Sequence, residues 1–259
     1  MRLKIASWNV NSLRVRLPQV LQWLAETSTD VLALQETKTT DDDFPRDAFH
    51  ELGYEVVYTG QKAYNGVCIV SRAPFDDAVR ELPGTDDPQR RLVAATYDGT
   101  RVINVYVPNG ETVDSDKYRY KLDWIQRLAG FVEVELRSHP RLVVLGDFNI
   151  APEDGDVYDP ESWRGQVLFS EPERDAFRGL LALGLRDTFR LFTQDPTQFT
   201  WWDYRMAAFR RNRGLRIDHI LASEALCRRC VSCRIDPRPR RWERPSDHAP
   251  VIAEFDPLG

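Results

Sequence analysis

Short runs of apolar and β-branched residues recur along the whole chain, and each of them predicts a β-strand. The runs cover residues 3–8, 31–35, 54–59, 67–71, 92–97, 101–107, 142–145, 217–222 and 250–255. Asp98-Gly99 lies between two of these runs, and this dipeptide favours the tight turn of a β-hairpin. Part of the sheet is therefore expected to be antiparallel.

Apolar residues with helical spacing occur between the predicted strands. They are Leu17, Val20, Leu21 and Leu24 in one segment, Tyr120, Trp124, Leu128, Phe131 and Val132 in a second, and Phe177, Leu180, Leu181 and Leu183 in a third. Interleaved strands and helices favour a layered α/β fold. No repeat or linker interrupts the chain, so residues 1–259 are expected to form a single domain. The proline- and acid-rich segment 151–172 has little periodicity and predicts a structured surface loop.

The composition is typical of an ordinary globular protein, with 42% hydrophobic and 29% charged residues. The longest purely apolar strand-like run, 142–145, is far too short to cross a bilayer, and no signal-peptide pattern precedes the first strand. A cytoplasmic, monomeric protein is therefore expected. The net charge of -5 argues against general attraction to nucleic acid or to an anionic membrane. Any contact with nucleic acid must then be made by a local patch.

Three of the four cysteines form a C-x-x-C-x-x-C run, Cys227, Cys230 and Cys233. Such a run is compatible with a metal cluster, but no fourth cysteine or histidine lies nearby in the sequence to complete it. We therefore favour free thiols on a short helix and a strand.

Polar residues gather where the predicted strands end, which is where layered α/β proteins bind ligands and arrange catalysis. They are Asn9, Asn11, Glu36, Tyr106, Asn109, Asp147, Asn149, Asp218, Asp247 and His248. Carboxylate and amide oxygens are hard donors that suit Mg²⁺. Together with one histidine, they indicate metal-assisted hydrolysis of a phosphate ester.

Several of these residues also have a purely structural interpretation. Asn9 and Asn11 precede a helical pattern and are candidates for helix caps, while Glu36 is a candidate for a solvated strand end. Asp147 follows a glycine, as turn residues do. Asp218 has Arg216 close by in sequence as a candidate ion-pair partner. Only the joint occurrence of these residues favours a functional site.

Seven segments make the chain resemble the exonuclease III family of abasic-site endonucleases, within the endonuclease/exonuclease/phosphatase superfamily. They are SWNVNSLR (7–14), LQETK (34–38), YVPNG (106–110), GDFNIAP (146–152), FTWWDYR (199–205), NRGLRIDHILAS (212–223) and SDHAP (246–250). The resemblance implies a four-layer α/β sandwich like that of deoxyribonuclease I. In this fold, two mixed sheets pack together between outer helices, and the strand-end loops form the active site.

The same resemblance implies roles for individual residues. Glu36 would ligate Mg²⁺, with Mn²⁺ as an alternative ion and with Asn9 and Asp247 nearby. Asp147 would orient and deprotonate the attacking water, and Asn149 would support the pentavalent phosphate.

The resemblance also implies a set of contacts with the scissile phosphate. His248, held by Asp218, would contact a phosphoryl oxygen, and Tyr106 and Asn109 would bind the same phosphate. A histidine cation offsets charge that develops on the phosphoryl group, and a carboxylate fixes the orientation of the imidazole. Asn11 departs from some relatives, which have an acidic residue there, so we treat it as a group that supports the metal site.

Segment 199–216 is the predicted DNA-reading segment, because it combines aromatic and basic residues. The aromatic members are Trp201, Trp202 and Tyr204, and the polar and basic members include Arg205, Arg210, Arg211, Asn212, Arg213 and Arg216. Arginines can neutralise backbone phosphates, and aromatic rings can pack against a sugar that lacks its base. A core tryptophan pair followed by a solvated basic loop is the structural alternative. By resemblance, Trp201 and Leu215 line the pocket for a flipped abasic sugar.

The expected activity is magnesium-dependent cleavage of phosphodiesters in double-stranded DNA. Incision 5′ to abasic sites, 3′-to-5′ exonuclease activity and 3′-phosphatase activity all fit the motifs, and their balance stays open. One alternative is a superfamily relative that cleaves phospholipids or inositol phosphates; another is a non-catalytic DNA-binding module. The first is disfavoured by the basic, aromatic segment. The second is disfavoured by the presence of the complete set of polar residues.

Overall fold

The computed structural model describes residues 2–257. Met1, Leu258 and Gly259, which the predicted single domain also includes, lie outside the described residues. Within the described part of the chain, no helix combines the length and the apolar character needed to cross a membrane.

Twelve strands between residues 2 and 257 form two mixed sheets of six strands each. The strands are β1 (Leu3–Asn9), β2 (Val31–Gln35), β3 (Glu55–Thr59), β4 (Val67–Ser71), β5 (Asp76–Val79), β6 (Leu92–Tyr97), β7 (Thr100–Tyr106), β8 (Leu142–Asp147), β9 (Leu185–Asp187), β10 (Asp218–Ser223), β11 (Cys230–Ile235) and β12 (Val251–Phe255). The first sheet has the order β11-β12-β1-β2-β4-β3, and the second has the order β5-β6-β7-β8-β10-β9. Each sheet contains one parallel pair, β1 with β2 and β7 with β8.

Six α-helices of the described chain accompany the two sheets. They are α1 (Leu13–Thr27), α2 (Arg46–His50), α3 (Asp116–Ser138), α4 (Pro160–Trp163), α5 (Glu171–Ala182) and α6 (Glu224–Cys227). Helices α1, α2, α3 and α5 pack on the outer faces of the sheets. One apolar cluster joins the inner faces of the sheets, a second joins α3 and α5 to the second sheet, and a third joins α1 and α2 to the first sheet. Three interfaces between four layers confirm the predicted α/β sandwich.

Strand β8 illustrates how the sequence builds these layers. Side chains alternate between the two faces of a strand, and here both faces are buried. Val143 and Leu145 belong to the cluster between the sheets, whereas Leu142 and Val144 belong to the cluster under α3 and α5. A continuous apolar run is therefore what this central strand requires.

The hairpin and the central strands agree with the sequence pattern, whereas two strands were not predicted. Asp98 and Gly99 connect β6 and β7, and both have positive φ angles, as type I′ turns require. These two strands are β5 and β9, and they form the two edges of the second sheet. An edge strand pairs on one side only and is partly exposed, so it needs no apolar run.

Segment 151–172 is structured, as predicted, although its last two residues already belong to α5. It contains a 3₁₀ turn (Asp154–Asp156) and α4. The buried carboxylate of Asp156 accepts hydrogen bonds from Arg216 Nε and Arg190 Nη2, both at 2.6 Å. The loop is therefore fixed against the residues that precede β10.

The cysteine run also has the predicted secondary structure. Cys227 ends α6, Cys230 and Cys233 lie in β11, and all three are free thiols. Among the described residues, the one cluster with metal-ligand geometry lies elsewhere and contains no cysteine.

Candidate active site

The ends of the two parallel strand pairs meet at one edge of the sandwich. Asn9 ends β1, Glu36 follows β2, and Asp147 ends β8 beside Tyr106 of β7. The Asn9 side chain spans the two sheets, because its Nδ2 donates to Glu36 Oε1 and to Asp147 Oδ2, both at 2.9 Å. One fully buried amide thus fixes two carboxylates from different sheets next to each other.

The backbone at this edge adopts conformations that cost free energy. Glu36 and Asn149 have φ angles of 52° and 51°, which are uncommon for residues with side chains. Gly146 has a φ of 145°, and a Cβ atom there would lie 1.9 Å from the carbonyl oxygen of Val105. Only glycine allows β8 to approach β7 so closely just before Asp147. Strain of this kind is typical of functional sites.

Asp147 is buried at the centre of the cluster. Its Oδ1 accepts from the backbone N–H of Asn149 at 2.9 Å, and its Oδ2 lies 3.8 Å from His248 Nε2. Burial raises the pKa of Asp147, although the His248 cation and the hydrogen bonds from Asn9 and Asn149 oppose the increase. A carboxylate with a raised pKa is a stronger base than an ordinary aspartate.

His248 and Asp218 form a buried pair beside Asp147. His248 Nδ1 donates to Asp218 Oδ2 at 2.8 Å, which directs Nε2 toward the cluster. Burial works against the imidazolium form, but the charges of Asp218 and Asp147 raise the pKa of His248 to about 10. The ring is therefore a cationic donor at neutral pH. Asp218 does not pair with Arg216, which instead binds two other buried aspartates.

Glu36 and Tyr106 form the side of the cluster that is less buried. Glu36 Oε2 contacts Lys38 Nζ at 2.8 Å, and the Glu36 charge acts on the Tyr106 hydroxyl. Burial, together with the charges of Glu36 and Asp147, raises the pKa of Tyr106 well above its usual value. Tyr106 therefore keeps its proton and can act as a hydrogen-bond donor. The Arg91 guanidinium stacks 4.8 Å from the centre of the Tyr106 ring.

The cluster suits a hard divalent cation. Ligand atoms of Glu36, Asp147 and His248 lie within 4.8 Å of one another. Carboxylate oxygens are the donors that Mg²⁺ and Mn²⁺ prefer. The His248 ring is bonded to Asp218 through Nδ1 and keeps a proton on Nε2, so it has no lone pair for a metal, and the oxygen donors come from Glu36 and Asp147.

Asn9 and Asp247, which the sequence indicated near the metal, have hydrogen-bonding partners of their own. Asn9 directs its amide nitrogen to the two carboxylates, and its Oδ1 accepts from the backbone N–H of Asn11. Asp247 accepts from Trp201 Nε1 and from Asn11 Nδ2, both at 3.0 Å. In this structure, the two residues support the loops around the carboxylates.

Two asparagines form the opposite side of the cluster from Glu36. Asn149 Nδ2 donates to the Val107 carbonyl at 2.9 Å, and Asn109 Nδ2 donates to Asn149 Oδ1 at 3.2 Å. The loops after β7 and β8 are therefore connected through side-chain amides. These amides provide neutral hydrogen-bonding groups on the side of Asp147 that faces away from Glu36.

Comparison with known proteins agrees with this arrangement. The sequence profile described as the Endonuclease/Exonuclease/phosphatase family matches residues 6–248. The chain belongs to this family. Its relatives include the exodeoxyribonuclease III of Haemophilus influenzae, which is 36% identical over 98% of this chain and 100% of the relative. The resemblance to the exonuclease III family, which the motifs indicated, is confirmed.

Solved structures of family members are also similar. A 3′ phosphatase from Neisseria, bound to a product DNA hairpin, superposes with a TM-score of 0.97 at 52% identity, covering 98% of this chain and 99% of that one. An AP endonuclease from Archaeoglobus fulgidus has a TM-score of 0.94 at 42% identity, covering 98% and 100% of the two chains. The fold is therefore that of the family.

Trp201 connects the strand-end site to the predicted DNA-reading segment. It forms isolated β-bridges with both Leu215 and His248. Leu215 is fully buried, in a cluster with residues of segment 151–172, whereas Trp201 is partly exposed. Of the two residues predicted to line the sugar pocket, Trp201 is thus the one with accessible surface.

The basic residues of the segment differ in their surroundings. Arg210, Arg211 and Arg213 are exposed and form no ion pair within the described residues. Asn212 has intramolecular partners: its Nδ2 donates to the Thr197 carbonyl at 2.8 Å, and its Oδ1 accepts from Trp202 Nε1 at 3.1 Å. The three arginines are free to contact DNA, whereas Asn212 shapes the loop that presents them. Trp202 is buried, so the core interpretation holds for one tryptophan of the pair.

Two cations at the site were not singled out from the sequence. Lys38 lies between Glu36 and Asn11, with Nζ 2.6 Å from Asn11 Oδ1. Buried Arg240 packs behind the DNA-reading segment, 4.9 Å from the ring centre of Phe209. Lys38 was visible within the LQETK motif, but Arg240 occurs in a run of basic residues that is typical of a solvated surface.

Proposed function

We propose that this chain is a magnesium-dependent DNA-repair phosphodiesterase. It incises double-stranded DNA 5′ to abasic sites and acts on 3′ ends as an exonuclease and a phosphatase. The main support is the pair of hydrogen bonds from Asn9 Nδ2, which hold the Glu36 and Asp147 carboxylates together beside the His248–Asp218 pair. The names of the relatives, an exodeoxyribonuclease III, a 3′ phosphatase and an AP endonuclease, support DNA over lipid or inositol substrates.

Glu36 and Asp147 would hold the metal ion, with Mg²⁺ proposed as the natural ion and Mn²⁺ as a substitute. When bound, a divalent cation neutralises negative charge on the phosphoryl group and on the leaving oxygen. Asn9 and Asp247 keep the surrounding loops in place. Their proposed contribution to the metal site is therefore indirect.

The residues around the metal site each have a role in hydrolysis. Asp147 accepts a proton from the attacking water as the new P–O bond forms. The bond from phosphorus to the 3′ oxygen breaks, which leaves a 5′ phosphate and a 3′ hydroxyl that takes its proton from solvent. His248 donates from Nε2 to a phosphoryl oxygen, and Tyr106 donates from its hydroxyl. Asn109 and Asn149 bind the same phosphate through their amides.

DNA would approach across Trp201 and the exposed arginines. Trp201 contacts the sugar that lacks its base, with Leu215 buried behind it, and Arg210, Arg211 and Arg213 contact backbone phosphates. Asn212 keeps the arginine loop in shape. We retain a cytoplasmic monomer as the prediction from the sequence.

The test is an assay of the purified protein with Mg²⁺ on three duplexes: one with an abasic site, one with a recessed 3′ end and one with a 3′ phosphate. We expect cleavage of all three and no cleavage in EDTA. Intact, blunt DNA without a lesion is the control for endonuclease activity. Cleavage of none of the three, with either Mg²⁺ or Mn²⁺, would contradict the proposal.

Replacing Glu36 by Gln is expected to weaken metal binding while the base is kept. An amide oxygen is a poorer ligand than a carboxylate for a hard cation. The Mg²⁺ concentration at half-maximal activity should rise, and saturating Mg²⁺ should restore part of the rate. A titration of activity against Mg²⁺ measures both effects, and a curve identical to that of the wild type would exclude Glu36 as a ligand.

Changing Arg210, Arg211 and Arg213 together to Ala is expected to reduce the salt dependence of DNA binding. Each phosphate contact on duplex DNA contributes about 0.9 to the slope of log affinity against log salt, so the slope should fall by about two to three. The loss should be equal for abasic and intact duplexes, because phosphate contacts do not identify the lesion. Anisotropy titrations at several salt concentrations measure the slope. A wild-type slope in the triple variant would mean that the three arginines lie in a solvated loop and do not contact phosphates.

Trp201→Ala is compared with the triple arginine variant, because both change the DNA-reading segment. It should reduce the preference for abasic over intact DNA, because it removes the aromatic surface that contacts the sugar. The salt slope should stay at its wild-type value. An unchanged preference for abasic DNA would argue against a recognition role for Trp201.

A further inference from the structure

Lys121 is a fully buried lysine in α3, directly behind the candidate active site. Its ammonium group forms an ion pair with Glu173 of α5, which is equally buried. It also donates to the backbone carbonyl of Asn149 at 2.7 Å and to that of Asn109 at 3.1 Å. An ammonium group has three N–H donors, and here each has one acceptor.

The two carbonyl groups belong to the residues whose side-chain amides form one side of the site. Asn109 and Asn149 lie in separate loops, after β7 and after β8, beyond the hydrogen bonds of the sheet. Lys121 joins both loops to the helical layer from behind. The lysine stem is tightly packed, because a Cβ atom at Gly110 would lie 3.2 Å from Lys121 Cδ.

The other end of the ion pair is also held firmly. Glu173 accepts backbone hydrogen bonds from Leu168 at 3.0 Å and from Ser170 at 3.1 Å, and the latter belongs to the capping box of α5. The lysine is therefore anchored to a rigid helix terminus. A buried ion pair adds little net stability, because desolvation of both charges offsets their attraction. The ion pair is thus expected to affect the positions of the two loops more than the stability of the fold.

We infer that Lys121 is a positioning residue, which sets the separation and orientation of the Asn109 and Asn149 amides for contact with the scissile phosphate. The inference rests on the proposed function. Lys121 itself touches no substrate. It acts through the two backbone carbonyl groups, so its loss shifts both loops and leaves the carboxylates, His248 and the metal site in place.

The experiment uses a double variant, Lys121→Met with Glu173→Gln, because Lys121→Met alone leaves a buried, unpaired carboxylate and can unfold the chain. The double variant removes both charges, but Gln keeps only one oxygen for the two backbone N–H groups, so the melting temperature should fall while the chain stays folded at the assay temperature. Displacement of catalytic groups by about 1 Å can reduce rates by about 10²-fold, so we expect kcat to fall by about 10- to 100-fold. The Mg²⁺ titration midpoint should not move.

The matched control is another ion pair of α3, which this helix forms with a strand of the second sheet. Arg101 of β7 pairs with Glu135 of α3, far along the helix from Lys121. The variant Arg101→Met with Glu135→Gln should keep the kcat of the wild type, even where its melting temperature falls. An equal loss of kcat in both double variants would reduce Lys121 to a general structural role.

A comparison with Asn109→Ala tests whether Lys121 acts on kcat through the side-chain amides. If Lys121 acts through the amides, combining Asn109→Ala with the lysine double variant should give a smaller loss than the product of the two separate losses. Fully multiplicative losses, or a wild-type kcat in the folded double variant, would overturn the inference. Failure of the wild type on all three duplexes would instead reject the proposed function.

Discussion

Replacing Asp147 by Asn is expected to lower kcat on abasic duplex DNA by about 10²- to 10⁴-fold, the range for loss of a general base. The amide has nearly the same size, and its oxygen can still accept the hydrogen bond from the Asn149 N–H. It cannot accept a proton from water. Binding of abasic DNA should persist, because the arginines and Trp201 are unchanged. Single-turnover rates at saturating enzyme measure the chemical step separately from binding.

A carboxylate outside the site provides the control for this change. Asp236 is also buried, and it accepts from Trp23 Nε1 at 3.0 Å and from Arg238. Asp236→Asn should alter stability but leave the single-turnover rate unchanged. Because Asp147 also helps to hold the metal, the Mg²⁺ titration midpoint of Asp147→Asn should rise as in Glu36→Gln, but saturating Mg²⁺ should restore no rate because the base is missing. A variant that is rescued by Mg²⁺ to the wild-type rate would make Asp147 a metal ligand without a role as base.

The sequence predicts the interior of the fold better than its edges, for a physical reason. A central strand such as β8 is covered on both faces, so its residues before the strand end must be apolar. Edge strands such as β5, Asp76–Val79, satisfy half of their hydrogen bonds with water and tolerate charge. Their position is determined by the neighbouring strand, and no local pattern reveals it.

The candidate site was also predictable only in part from the sequence. That Asn9, Glu36 and Asp147 come together was predictable, because each follows a strand whose end lies at one edge of a layered fold. The direction of each side chain was not predictable. The positive φ of Glu36 has no local sequence signal, and the orientation of the Asn9 amide depends on a contact with Asp147 in the other sheet.

Lys121 shows most clearly what local sequence patterns cannot predict. In sequence it is one polar residue within an amphipathic helix, and such residues are usually solvated. It is buried because Glu173, in another helix, and two strand-end carbonyl groups surround its ammonium group. These partners lie far apart in the sequence, so neither periodicity nor local motifs indicate the ion pair.

Replacing Asp218 by Asn is expected to lower kcat to a similar extent, by about 10²- to 10⁴-fold, as loss of the carboxylate does in other carboxylate–histidine pairs. An amide cannot hold the imidazole in its cationic form, so Nε2 loses the charge that it directs at the phosphoryl oxygen. Asp218 Oδ1 has no hydrogen-bond partner within residues 2–257. Its charge is therefore compensated mainly by His248, and the neutral amide should leave the melting temperature nearly unchanged.

Residues that act as one unit show losses that do not multiply. We therefore expect the double variant Asp218→Asn with His248→Gln to be no slower than His248→Gln alone, because the carboxylate acts only through the imidazole. The Mg²⁺ titration midpoint should match that of the wild type in all three variants, since Glu36 and Asp147 are untouched. Fully multiplicative losses of single-turnover rate would mean that Asp218 contributes to catalysis independently of His248, for example through the unpaired Oδ1.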